Sequence, residues 1–124
     1  MPLAVILEQE IPAKQDRGGI MRVLLSPRTV NTTSGFMGTL TLQTQGVYKK
    51  HYHPYSDEYL YVVSGEVNLT CDEVTEVVKA GSAVFIAKNI PHRLYNNGAE
   101  GCTMVFFSTP LAPRPELGNV LMED

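Results

Sequence analysis

The chain has no tryptophan and, in 124 residues, only two cysteines and three histidines. Cys71 and Cys102 form no Cys-x-x-Cys pair and cannot make a dense disulfide framework, although a single bridge stays open. Beside apolar neighbours such as Leu69 and Val105 they read as small buried hydrophobes in a reducing compartment. Basic residues are in deficit: 10 Lys and Arg face 13 Asp and Glu, a net charge of -3. Phosphate neutralisation dominates nucleic-acid affinity, so no nucleic-acid partner is expected. Long apolar runs are missing too. The stretch from Leu3 to Leu7 is too short for a membrane span or a signal peptide and has no basic residues before it. A cytoplasmic protein with no membrane partner is the expectation. Nor does any stretch of twelve residues carry apolar positions at helical spacing.

What is present is alternation. With 44% hydrophobic and 19% charged residues the composition is that of a globular protein, and the length suits one domain over residues 1–124. Thr39-Leu40-Thr41-Leu42-Gln43 has period two, the signature of a strand with one buried face. Strand-like runs follow at Met21 to Leu24, Glu58 to Val63, Glu66 to Cys71, Val74 to Val78, Ala83 to Ala87, His92 to Tyr95 and Thr103 to Phe107. Turn formers separate them, among them Ser64-Gly65, Ala80-Gly81 and Asn96-Asn97-Gly98. Asn97-Gly98 between two apolar runs predicts a hairpin. Many short strands at close spacing predict an all-β sandwich or barrel. Leu111 to Asp124, with Pro113 and Pro115 just after Pro110, reads as an extended arm over the body or a partner.

The histidines carry the chemical signal. His51 and His53 are separated by one residue, so on a strand they project from the same face. Two imidazoles side by side are a poor core, because each ring nitrogen needs a partner, and a good grip for a divalent metal. Glu58 follows shortly and His92 lies further on, making an open ligand set with room for water or substrate. The competing reading is an exposed strand edge with a solvated Glu58 beside Asp57. Phe36, Met37, Leu40, Leu42, Met104 and Phe106 are candidates for an apolar lining. Of the tyrosines, Tyr52, Tyr59 and Tyr95 fall on the wrong parity to face the site.

Glycines frame these residues. Gly46 precedes His51-x-His53 by four residues; Glu58 follows after four more, and Gly65 after six. Gly81, ten residues, His92, three residues and Asn96 make a second segment. The two segments, 46–65 and 81–96, resemble the paired motifs of the cupin superfamily, G-x5-HxH-x3,4-E-x6-G and G-x5-P-x-G-x2-H-x3-N. They depart from it in three places. Gly46 is one residue too close, Ala87 replaces the proline, and Asn89 replaces the second glycine. Asn is the mildest substitute where a turn needs positive φ. A narrower resemblance lies in His53-Pro54-Tyr55-Ser56-Asp57-Glu58, in Val62-Val63-Ser64-Gly65-Glu66 and in the tail Leu111 to Gly118. These are similar to the small single-domain cupins of bacterial aromatic polyketide pathways, such as those of tetracenomycin and resistomycin.

The resemblance implies a double-stranded β-helix (jelly-roll) barrel with a Pro-rich C-terminal arm. It implies one divalent metal on His51, His53, Glu58 and His92, zinc first, with iron, manganese, nickel or copper open. Glu58, His51 and His53 are the expected catalytic residues. The implied activity is regiospecific aldol-type ring closure of a small-molecule polyketide, free or bound to an acyl carrier protein, by a homodimer. Two other classes stand beside it: an oxygen-dependent cupin acting on an aromatic substrate, and a non-catalytic cupin that binds a small molecule or supports a synthase.

Overall fold

A computed structural model describes residues 3–123. Among these residues ten strands are present: β1 (Ile20–Leu25), β2 (Phe36–Leu42), β3 (Val47–Tyr52), β4 (Asp57–Ser64), β5 (Glu66–Cys71), β6 (Val74–Lys79), β7 (Ala83–Ile86), β8 (His92–Tyr95), β9 (Cys102–Thr109) and β10 (Val120–Leu121). One short helix, α1 (Pro27–Val30), interrupts them. Ser26 caps it, accepting from the Arg28 N–H while Thr29 Oγ1 accepts from the Ser26 N–H, a local stop the strand pattern did not reveal. The strands form two five-stranded antiparallel sheets, ordered β1-β2-β9-β4-β7 and β10-β3-β8-β5-β6. From β2 onward the chain passes repeatedly from one sheet to the other, which brings residues distant in sequence onto facing strands.

The period-two pattern explains which side chains fill the space between the sheets. Leu40 and Leu42 on β2, Leu60 and Val62 on β4, Val67 and Leu69 on β5, and Met104 and Phe106 on β9 are buried at alternate positions. Phe36, Leu40, Leu42, Met104 and Phe106 belong to this interior, as expected. Met37 does not: it falls on the opposite parity and lies with Tyr59, Phe85 and Phe107 on the outer face of the first sheet. Both cysteines are free thiols, Cys102 fully buried and Cys71 partly so, and burial raises both pKa values, that of Cys102 to about 11.

Two turns in the motif segments need unusual backbone. Gly65, where the chain leaves the first sheet for the second, has φ 77°, and a Cβ there would lie 2.4 Å from the Gly101 carbonyl oxygen. Asn89, standing where the cupin pattern has glycine, has φ 69°, so it does adopt the left-handed conformation.

Two expectations need correction. Asn97-Gly98 does not close a hairpin, because β8 and β9 lie in different sheets. The bend is built instead by Asn96, which is fully buried; its Nδ2 donates to the carbonyls of Leu42 and Glu100, each at 2.9 Å, and its Oδ1 accepts from the Gly98 N–H at 2.8 Å. The C-terminal segment is not simply extended: it folds back as a strap with a 3-10 turn at Pro115–Leu117 and then adds β10 to the edge of β3. Replacing Asn96 by Ala strands buried backbone groups at about 1–3 kcal/mol each. Asn96→Ala is expected to lower the urea midpoint by an equivalent of about 3 kcal/mol with the slope unchanged.

Candidate metal centre

Three strands meet at the site. His51 ends the inward row of β3, His92 opens β8, and the two are directly paired across the second sheet. His53 lies just beyond the end of β3. Glu58 comes from β4 in the opposite sheet, paired with Ile86 on one side and Ser108 on the other. The centre is thus a seam between sheets, with imidazoles on one side and a carboxylate on the other. His51, His53 and His92 are buried, and the Glu58 side chain is 14% exposed. One ligand atom from each of the four lies within 4.8 Å of the others. All four residues singled out from the sequence come together.

Backbone carbonyls set the direction of every ring. His51 Nδ1 donates to the Lys49 carbonyl at 2.7 Å, His92 Nδ1 to the Ile90 carbonyl at 2.9 Å, and His53 Nδ1 to the Gly118 carbonyl at 3.0 Å. A carbonyl can only accept, so each Nδ1 carries a proton, and Nε2 is the nitrogen each ring offers to the site. The Nε2 atoms of His53 and His92 each stand 3.3 Å from Glu58 Oε1. All three of these atoms are buried without a hydrogen-bond partner. Two imidazole lone pairs facing a carboxylate at that distance require a proton or a cation between them.

The electrostatics leave His51 and Glu58 in metal-ready forms, while His53 is drawn toward its protonated form by the same carboxylate. Burial, helped by His92, pushes His51 down to about 3, so it is neutral. Burial opposes ionisation of Glu58, but His53 and His92 outweigh it and hold the carboxyl well below the usual range. For His53 burial is likewise outweighed, here by Glu58, and its pKa is raised. A buried anionic oxygen with three inward nitrogens fits a divalent metal site; nothing in the donor set selects one metal.

One neighbour was not legible in the sequence. The pairing of β3 with β8 shifts between Tyr48↔Leu94 and His51↔His92, so β3 carries an extra residue. Strict alternation puts Tyr48 on the face opposite His51; the bulge lets both turn inward. The Tyr48 ring is buried, edge-on to His51 with centroids 5.0 Å apart, and its hydroxyl donates to Met21 Sδ at 3.7 Å. Burial, with Glu58 nearby, keeps its phenol protonated. Cys71, paired with His92 on β5, completes that side of the seam. Tyr59 is exposed, and Tyr95 donates to Gln45 outside the site, in keeping with their parity.

Residues 38–108 match the family described as Cupin domain, and that span contains all four ligand candidates. The chain is a cupin. This cupin is 42% identical over 116 residues to the protein named polyketide synthase CurC of Streptomyces cyaneus, covering 94% of this chain and 75% of that one. It is 37% identical over 117 residues to the tetracenomycin polyketide synthase protein TcmJ of Streptomyces glaucescens, covering 94% and 78%. Its fold matches the structure of the polyketide cyclase RemF of Streptomyces resistomycificus with a TM-score of 0.77 at 20% identity, over 98% of this chain and 88% of that one. Among the described residues no helix is long and apolar enough to cross a membrane.

Metal-stripped protein is expected to take up one equivalent of a divalent ion, measured by elemental analysis after dialysis. His92→Ala and His51→Ala are each expected to fall well below one equivalent while the far-ultraviolet spectrum stays that of the parent.

Proposed function

We propose that this cupin, one domain over residues 1–124, promotes aldol-type ring closure of a poly-β-ketone in aromatic polyketide synthesis. The observation that carries the reading is the convergence of three Nδ1-locked imidazoles and an ionised carboxylate inside the barrel of a chain whose relatives are named for polyketide synthesis. His51, His53, His92 and Glu58 would hold one divalent metal, zinc among those the donor set admits. When bound, the ion supplies a Lewis acid for a ketone oxygen.

The residues do the rest. Glu58, anionic and only slightly exposed, takes the α-proton of the substrate as the C–H bond breaks. The resulting enolate carbon attacks a second ketone of the same chain; the new C–C bond closes the ring, and the alkoxide oxygen recovers the proton from Glu58. Electrons balance without an oxidant. Buried apolar side chains such as Leu60, Ile86 and Phe106 keep bulk water from the reactive ketones. Lys49, exposed at the β3 bulge, is the cation we assign to contact with an anionic acyl carrier protein.

Incubation with a synthase-generated poly-β-ketone tests this through the ratio of ring-closed to shunt products. Glu58→Gln is expected to lower the closure rate about 10²–10⁴-fold, and His53→Ala to abolish the metal-dependent part. Unchanged products in both variants overturn the reading and favour a binding role. Stoichiometric dioxygen consumption overturns it in favour of oxygenase chemistry.

The same reading has the cupin work as a homodimer, through the outer face of the first sheet. Met37, Phe107, Tyr59 and Phe85 form one rung across four strands, with Tyr59 5.2 Å from Phe85 between ring centroids. Beside it runs an N-terminal arm whose Leu3, Val5 and Leu7 are exposed, anchored where Thr39 Oγ1 donates to Glu8 at 2.5 Å. Aromatic side chains bury about 150–250 Å² each, so the three half-bare rings offer roughly 225–375 Å² and the arm adds to that. A contiguous apolar patch of this size on one face often marks an interaction site. A second copy is the occupant, because arm and sheet together supply both halves of a two-fold contact. Light scattering at micromolar concentration is expected to give twice the 13.7 kDa of one chain, and Phe85→Lys with Tyr59→Lys one chain. A monomeric parent, or a double variant that stays dimeric, overturns this.

A further inference from the structure

The three imidazoles are not held in the same way. His51 and His92 each donate to the carbonyl two residues before them, Lys49 and Ile90, so their orientation is built into their own strands. His53 has no such local partner. Its Nδ1 donates to Gly118, 65 residues away, in the strap that follows β9. That strap is itself tied down at several points. Ser56 Oγ donates to the Pro110 carbonyl at its start. Arg17 reaches Asn119 with Nε at 3.3 Å from Oδ1 and Nη2 at 3.5 Å from the carbonyl oxygen. β10 then pairs with Tyr52 and His51, and the Met122 N–H donates to the Lys50 carbonyl at 2.9 Å.

We propose that the C-terminal strap is a positioning element of the metal centre: the Gly118 carbonyl, held in place by the Arg17–Asn119 contact and β10, fixes the ring of His53 so that Nε2 faces the other ligands. This rests on the metal reading above. Without the strap, Nδ1 of His53 loses its acceptor, and the ring is free to move its proton to Nε2 and donate to Glu58 Oε1, 3.3 Å away. That tautomer cannot ligate through Nε2. His51 and His92 keep their local carbonyls and stay poised, so the loss is specific to one of four ligands. Outer partners of this kind are worth about 10–100-fold in metal affinity. Linkage makes the effect reciprocal: an ion that prefers the locked ring stabilises the docked strap by the same factor.

Two variants test it: a chain ending at Pro113, which keeps the Ser56 contact, and full-length Arg17→Ala/Asn119→Ala, which keeps the fold should the shorter chain not fold. Ring nitrogen spectra of the metal-free protein report each histidine's tautomer, and competition with a chromophoric chelator reports zinc affinity. In the parent all three histidines are expected to keep a proton on Nδ1, whether or not Nε2 of His53 shares another with Glu58. In the shortened chain His53 alone changes, with zinc affinity down 10–100-fold; the double variant shifts the same way, severalfold. Zinc is expected to slow exchange of the Met122 amide in the parent. An unchanged His53 ring and unchanged affinity in whichever variant folds overturn the proposal. If the parent takes up neither zinc nor any other divalent transition metal, the metal reading fails, and the metal-free ring spectra still decide the role of the strap.

Discussion

The site depends on three hydrogen bonds of one kind: an imidazole Nδ1–H given to a backbone carbonyl. Each is worth only about 0.5–1.5 kcal/mol of net stability. Their consequence for chemistry is larger, because each one decides which nitrogen is left with a lone pair and where it points. Three such decisions made alike leave His53 and His92 with lone pairs turned on Glu58, which burial alone would have kept protonated. The arrangement is satisfied by a positive charge and by little else.

The barrel makes those bonds possible by its register. β4 carries Glu58 on its inner face and Tyr59 on its outer face, next to each other in sequence and on opposite sides of the sheet. A slip of one residue would exchange them, sending the carboxylate out and an aromatic ring into the seam. Leu60 and Val62, fully buried further along the same strand, oppose that slip through the apolar area they would lose. Core packing at one end of the strand thereby secures the chemistry at the other.

Much of this was visible in the sequence because it obeys short-range rules. Most strands are legible through alternation and strand propensity, β3 and β10 excepted; the parity of Tyr59 and Tyr95 held, and the left-handed turn at Asn89 followed from the residue types that tolerate it. What escaped has long-range causes. The β3 bulge that turns Tyr48 inward is set by its pairing with β8, which no local pattern encodes. Asn97-Gly98 has hairpin chemistry, but the side chain of Asn96, reaching back to Leu42, sends the chain to the other sheet. The strap looked like an arm because prolines report the absence of regular structure and say nothing of where the chain returns.

His53 is held at both ends by segments made later than itself. Its carbonyl accepts from the Asn89 N–H at 2.9 Å, and its ring donates to Gly118. Closing contacts between such distant segments costs chain entropy that only the packed barrel can offset. During folding, then, this ligand is among the last parts of the centre to take its final pose. A nascent chain that has β3 and β4 but lacks the tail presents an unfinished chelate. Assembly of the four-residue cluster thus waits on the segment that carries Gly118.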